Sequence, residues 1–214
     1  MHPDHRKVAK WDGTVLLREK ELLKPIARRK PTLFATCLLG DLFHVSVPFE
    51  WIDRVFATMA TCPQHQFVVL TKRADRMRDY ARNERDLTGV APRGHITWPL
   101  KNVWMGVSVS NQRDADERVE MLCQTPAAHR WVSVEPLLGY VSLNAWLDHI
   151  EAVIVGCESG PGRRPEKREW ISDVQRQCQD AGIPVYVKQY TDATGHLVTQ
   201  KPPESWPWIV KSKE

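Results

Sequence analysis

Six apolar runs in this chain each end in residues that hydrogen-bond or carry charge. TLFATC, from Thr32, leads to Gly40, Asp41 and His44; FVVLT, from Phe67, to Thr71, Lys72 and Arg73; VWMGVSV, from Val103, to Ser108 and Asn111. WVSVE, from Trp131, closes on Glu135; AVIVG, from Ala152, on Glu158, Ser159 and Gly160; PVYVK, from Pro184, on Lys188 and Gln189. Acceptors, hydroxyl and amide donors and fixed cations make up the inventory of a ligand site. No nucleophile–base–acid set stands out among them. Each residue also has a plainer use. Asn111 can cap a helix, Ser108 can satisfy local backbone, Lys72 and Arg73 can be a solvated helix start, and EPLLG, from Glu135, can be a simple turn. The joint pattern weighs more, because structure alone gives no reason for a polar residue at every run's end.

The stretch VIVGCESGPGRRPEKREW, Val153 to Trp170, is the densest of these ends. Gly156 and Gly160 permit close backbone approach or left-handed conformations, and Arg163 and Arg164 bring charge. The stretch lacks the Lys-Ser/Thr of a phosphate loop and the spacing of a dinucleotide fingerprint, so it is expected to form one wall of a ligand site. A metal is not expected. Cys37 and Cys157 both end apolar runs, with His44 near the first, but Cys62, Cys123 and Cys178 fall in helical segments where a small buried thiol is ordinary. His65, His95, His129 and His149 read as surface residues of turns and helix ends.

The runs that must position these residues are β-branched, aromatic and nearly continuous in apolar character, as strands buried on both faces of a parallel sheet are. Helical patterns lie between them. Trp51, Ile52, Val55, Phe56 and Met59 share a face after Pro48; Ala115, Val119 and Leu122 share another, with Asn111 as cap and Asp114 three residues on. A third helix is expected from about Glu166 to Gly182, with Trp170, Ile171, Val174 and Cys178 inward. Arg73 to Arg85 reads as a charged, more exposed helix, and Leu143 to Leu147 as a small one. Strand and helix thus alternate at the spacing of βαβ units, and a parallel sheet brings all the polar ends to one rim. Pattern alone does not separate a doubly wound sheet from a barrel, although a complete eight-stranded barrel needs more units than the chain offers. Residues 1–31 form a basic arm, 32–190 the sheet domain and 191–214 an irregular tail rich in proline and tryptophan.

Composition narrows the class. Of 214 residues, 42% are hydrophobic and 26% charged, as in an ordinary globular protein. No run approaches the roughly 20 apolar residues that span a bilayer, and the first residues have no apolar core, so the cytoplasm is the expected compartment. Five widely spaced cysteines point to reduced thiols. A net charge of +4 permits an anionic partner such as nucleic acid without arguing for one. The nine tryptophans are expected mostly in the core.

Several motifs together carry a resemblance: GDLFHVSVPFEWIDRVFATM, QFVVLTKR, NVWMGVSVSNQRDADERVEML, TPAAHRWVSVEPLLG, VIVGCESGPGRRP and QCQDAGIPVYVKQ. From about Trp11 to Tyr190 the chain resembles a family of phage and prophage proteins of undetermined function, whose members look like radical S-adenosylmethionine (SAM) enzymes. The resemblance implies a partial (β/α) barrel of about six parallel strands, related to the TIM barrel. It implies SAM as a cofactor and, in full-length members, a [4Fe–4S] cluster on three thiolates of a preceding loop. No such cysteine triplet occurs in this sequence. Carried over, Gly40 and Asp41 would meet the methionine amino group and Ser108 and Asn111 the ribose hydroxyls. Glu135 and the loop Gly156 to Gly160, with Glu158 and Ser159, would line the cavity. Lys72, Arg73, Arg163, Arg164 and Lys188 would face a carboxylate or an anionic substrate, with His44 and Gln189 beside them. The chain departs from the family at Cys157, where glycine is usual, and at the LLG turn before Asp41.

The missing cluster segment leaves three expectations. The chain is a fragment of a radical-SAM enzyme, which is the favoured one; or a non-catalytic module for a nucleotide or nucleic acid; or one half of a two-chain enzyme. Without a preceding strand, TLFATC stands at a sheet edge with no lysine to guard it, so an oligomer or partner chain is expected to meet it there.

Overall fold

The computed structural model describes residues 13–37, 40–83 and 97–208. His95, the LL of the LLG turn, the end of the expected Arg73–Arg85 helix, the start of the arm and the last six residues of the tail lie outside the described residues.

Seven strands form one sheet: β1 (Leu33–Thr36), β2 (Gln66–Thr71), β3 (Val103–Ser108), β4 (His129–Val134), β5 (Ala152–Gly156), β6 (Val185–Thr191) and β7 (Leu197–Thr199). Their spatial order is their chain order. The first six are parallel, and β7 returns antiparallel on β6. A doubly wound sheet reverses its strand order at a switch point, and this sheet does not. Right-handed crossovers in unbroken order keep every connection on one face, so the sheet curls into a half-barrel with helices outside. That decides between the two architectures the pattern left open.

The helices are α1 (Glu19–Ala27), α2 (Phe49–Ala60), α3 (Ala74–Arg82), α4 (Gln112–Cys123) and α5 (Arg168–Asp180). Alternation along each strand sorts residues to two faces. Val69, Val107, Val132 and Val153 go outward and pack with Ile52, Phe56, Met77, Leu122 and Val174 of the helices. Val68, Trp104, Trp131, Ala152 and Tyr186 go inward, where the tail brings Trp206 and Trp208 onto them. Trp208 meets Trp104, Trp131 and Trp206 at ring distances of 5.2, 5.0 and 5.1 Å, all edge-to-face. The Trp206 indole N–H is buried without an acceptor. That costs roughly 1–3 kcal/mol, less than the roughly 4–6 kcal/mol from burying an indole of about 150–250 Å², so the ring stays in.

Several elements differ from expectation. The arm contains α1, tied to α2 by the Glu19–Arg54 ion pair. The tail contains β7. Near Leu143–Leu147 there is a single 3-10 turn at Leu147–His149, and the last outer helix begins at Arg168, two residues late. Helix α3 is charged but buries Ala74, Met77, Tyr80 and Ala81. His65 is fully buried, not at the surface. Its Nδ1 accepts from Thr32 N–H at 3.2 Å, so the proton sits on Nε2, which faces the carbonyls of Pro25 and Arg28 at 3.0 and 2.9 Å. It thereby fastens the end of α1 to the start of β1. His129 is half-buried, stacked on Trp104 at 4.4 Å and held by Glu151 at 2.9 Å. His149 is exposed. Among the described residues no helix is long and apolar enough to cross a membrane.

Gly106 is where the inner face has no room. A Cβ there would stand 2.3 Å from Trp131 Nε1, and that indole is fixed by donation to Val69 O at 3.2 Å and by Trp208. Gly106→Ala is therefore expected to cost about 1–3 kcal/mol, measured by denaturant unfolding followed through tryptophan fluorescence. An unchanged midpoint would show that Trp131 is not held as described.

Candidate functional site

Followed from start to end on β3, β4 and β6, the inner face changes character, whereas on β2 (Val68, Leu70) and β5 (Ala152, Ile154) it stays apolar. On β3 it runs Trp104, Gly106, Ser108; on β4, Trp131, Ser133, Glu135; on β6, Tyr186 and then Lys188. Bulky rings and the tail fill the lower half, while small and polar residues line the approach to the rim. Ser108 and Ser133 are register partners and both buried. The Ser108 hydroxyl donates to Glu135 O at 3.1 Å. At the mouth Lys188 Nζ donates to both Glu135 carboxylate oxygens, at 2.8 and 3.0 Å. The Glu135 side chain is 18% exposed and that of Lys188 45%, so the cation is the half of the pair open to solvent. Tyr186 lies below, its phenol pKa pushed up by burial and then by the Glu135 charge. The tail supports this corner, since Gln200 N–H donates to Lys188 O at 2.8 Å and the Tyr186 hydroxyl to Gln200 O.

Asp41 lies to one side as a hub. Its carboxylate accepts from Phe43 N–H (2.9 Å), Thr71 Oγ1 (2.7 Å), Lys72 N–H (3.2 Å) and Arg73 Nη1 (2.7 Å). Four donors match a carboxylate's capacity, so Asp41 fastens the β1–α2 loop to the end of β2. Gly40 is exposed, with open space where a Cβ would stand. The His44 ring accepts from Ser46 N–H at 3.2 Å, and Arg76 donates to the carbonyls of His44 and Val47. Lys72 is exposed; Arg73 is spent partly on Asp41.

Past β3, Asn111 Oδ1 accepts from Asp114 N–H at 3.0 Å, the cap its position predicts. Asp114 accepts from Ser110 N–H at 3.0 Å and pairs with Arg118 at 2.8 Å, and Arg118 donates to Ser108 O at 2.7 Å. Asn111 and Ser108 are thus fixed by one network. Arg118 was not anticipated, although its position four residues after Asp114 on a helix carries the signal.

The loop past β5 is clasped by Glu158. Its carboxylate accepts from Arg164 through backbone N–H (2.8 Å), Nε (3.0 Å) and Nη2 (2.6 Å). These bonds hold the Glu158 carboxyl far below its ordinary value, at about 2. Gly160 and Gly162 take φ of +96° and +72°, conformations in which a side chain is strained. Ser159 is exposed beside them. Arg163 donates to Gly195 O, bracing the loop against the β6–β7 turn. Gly156 lies under Gln189, whose Nε2 donates to Cys157 O at 2.7 Å. Glu166, read from sequence only as a helix start, accepts from Thr191 N–H and Oγ1.

Of the residues singled out in the sequence, the fold joins Ser108, Glu135 and Lys188 directly, Asp41 with Lys72 and Arg73, and Glu158 with Arg164. It does not join the cysteines. Cys62 closes α2, Cys123 and Cys178 lie on α4 and α5, Cys157 is sealed at the end of β5, and Cys37 alone is exposed. Burial pushes the Cys123 thiol to about 11 and that of Cys178 to about 12, which keeps both protonated and poor as ligands. Among the described residues no three His, Cys, Asp or Glu gather as a metal site.

A curled, mostly parallel half-barrel with its polar residues at the carboxyl ends of the strands is the class of protein that fold and rim define. The chain belongs to a family of proteins of unknown function, described as "Protein of unknown function (DUF5131)", which matches residues 1–204. No curated protein matches the chain, and no solved structure does.

The Glu158 clasp makes a signed prediction. A carboxyl whose pKa is lowered on folding stabilises the fold fully above its ordinary value near 4.5, and that contribution fades as pH falls towards about 2. Carboxyl NMR titration is expected to find Glu158 near 2 in the native protein and clearly higher in Arg164→Gln, which loses the guanidinium bonds but keeps the backbone N–H. A Glu158 midpoint near 4.5 in the native protein would mean the loop is not clasped.

Proposed function

We propose that the chain is a radical-SAM-like protein of phage or prophage type that binds a nucleoside ligand of the SAM kind at its rim and does not supply the iron–sulfur chemistry. What supports the site is the change of the inner face from tryptophan to glycine and serine and then to the half-exposed Glu135–Lys188 pair. A ligand carrying both an ammonium and a carboxylate is complementary to such a pair. The carboxylate goes to Lys188, the more exposed partner, and the ammonium to Glu135. Ser108 and Asn111 supply the polar edge for ribose hydroxyls, and the loop Gly156 to Gly160, with Glu158 and Ser159, is the opposite wall. Asp41, with its acceptor sites filled, and Gly40 shape the neighbouring loop. Lys72 and Arg163 add positive charge at the mouth, while Arg73 and Arg164 are spent on Asp41 and Glu158.

The cluster that the resemblance implies does not fit these residues. It needs three thiolates in reach of one another, and the thiols here are dispersed over the outer helices, the sealed end of β5 and the exposed end of β1. We therefore derive no radical step for this chain. The same dispersion favours a second reading in which the half-barrel acts alone as a non-catalytic nucleotide-binding module. The one-sided edge of β1, which pairs only with β2 among the described residues, suits a two-chain enzyme in which another polypeptide supplies strand and cluster.

The test is calorimetric titration of the full chain with S-adenosylhomocysteine, which keeps the nucleoside and amino-acid groups without the reactive sulfonium. Saturable binding is expected, weakened at least about tenfold, or roughly 1.4 kcal/mol, in both Glu135→Gln and Lys188→Met. No saturable heat, or an affinity unchanged from the native chain in both variants, would sink the assignment.

A further inference from the structure

The two ends of the sheet are finished differently. At one end β7 is three residues long and returns antiparallel on β6, a short edge of the kind that resists further pairing. At the other, β1 pairs with β2 alone among the described residues. Gln66 N–H donates to Thr32 O at 3.1 Å. Thr32, Phe34 and Thr36 therefore spend their main-chain groups on β2, and Leu33 and Ala35, which alternate with them, turn theirs to the open side. Both side chains are exposed, Leu33 at 37%. The devices that guard an edge are missing from Thr32 to Thr36, which hold no charge, no proline and no bulge.

The stretch that can pair has fixed limits. Pro31 has no N–H to donate, and Cys37 takes a φ of 56°, which turns the chain out of the extended conformation. Between them lies TLFAT, which reads the same way in both directions: threonine, an apolar residue, phenylalanine, an apolar residue, threonine. A two-fold contact between identical edges needs a strand that complements its own reverse. With the axis at Phe34, Leu33 lies opposite Ala35 of the second copy, and Ala35 opposite Leu33 of the second copy. These are the residues whose main-chain groups face the open side, so each opposed pair exchanges both hydrogen bonds. The two Phe34 side chains then meet as a non-hydrogen-bonded pair, the closer kind, and Thr32 lies opposite Thr36 of the second copy. Large stands against small on one face of the joined sheet and ring against ring on the other. Phe34 is available for this, because it stacks on Phe67 at 5.4 Å and is otherwise only half-buried. Other axes fail. One at Leu33 sets Ala35 against Pro31, and one at Ala35 sets Leu33 against Cys37.

We propose that the chain forms a two-fold homodimer in which the β1 edges of two copies pair antiparallel about Phe34. The two mouths then open at opposite ends of the joined sheet. The inference is independent of the nucleoside site, and it gives the open edge to a second copy instead of a different polypeptide. Such a pairing closes on itself, so assembly stops at two.

The experiment is sedimentation velocity of the full chain from about 5 to about 500 µM, with amide hydrogen exchange followed by NMR at both ends of that range. The mass is expected to rise from one copy to two and no further. Where dimer outnumbers monomer about ten to one, exchange at the Leu33 and Ala35 amides is expected to slow about tenfold. The Phe34 and Thr36 amides, already held by β2, change little. Ala35→Pro removes a donor on the open side and leaves the ladder to β2 in place, and Leu33→Lys puts a charge on the edge. Both variants are expected to stay monomeric at every concentration, with the fold checked by circular dichroism. A native chain that stays monomeric overturns the proposal and leaves the edge to a different polypeptide. Leu33 and Ala35 amides protected equally at every concentration overturn it too, since the cover would then lie within the chain. So does a folded variant of either kind that dimerises like the native chain.

Discussion

A curled sheet of six parallel strands has two apolar faces, and the helices among the described residues cover only one of them. In a closed barrel the opposite strands cover the inner face; a half-barrel has none. Here the cover is the tail, whose Trp206 and Trp208 lie on Trp104, Trp131 and Tyr186. Each edge-to-face ring pair adds roughly 0.5–1.5 kcal/mol beyond the area it buries. The rest of the architecture follows from that solution. Gly106 is glycine because Trp131 crosses it, Trp131 is fixed because its N–H reaches Val69 O, and β7 exists because the chain must turn back across β6 to deliver the two rings.

Filling the lower half with rings leaves small and polar residues towards the ends of β3 and β4, while Leu70 and Ile154 keep the inner face apolar on β2 and β5. Ser108 and Ser133 are tolerated in a buried position because the strand ends and the loops past them supply polar neighbours, as Glu135 O does for Ser108. The rim itself is built of matched charges. Asp41 is a fastening that holds one loop to the next strand, and Glu158 does the same for its own loop through three bonds to Arg164. The Glu135–Lys188 pair differs from these, because its lysine stays half open to solvent.

Much of this was legible beforehand. The strands declared themselves by continuous β-branched and aromatic runs, and the Asn111 cap by its place before an amphipathic pattern. The polar strand ends were visible as a set. What they do there was not, because a carboxylate's role depends on how many donors surround it, and those donors come from residues far away in sequence. Asp41 meets Thr71 and Arg73 across about thirty positions, and Lys188 meets Glu135 across 53. His65 looked like a turn residue because the carbonyls that accept from it belong to α1, 37 and 40 positions earlier. The tail looked irregular because three residues of strand and three prolines carry no periodicity.

The sequence by itself determined the strands, most of the helices and the convergence of polar residues at one end of the sheet, since these depend on local periodicity and on the direction of parallel strands. Only the tertiary structure decided that the sheet is an open half-barrel rather than a doubly wound one, because strand order is set by packing between distant segments. Only it decided which strand-end charges are spent on one another and which face solvent, because pairing is a matter of distance in space. And only it showed that two tryptophans from the tail stand in for the missing half of a barrel, because the demand for them arises on a face that exists only once the sheet has curled.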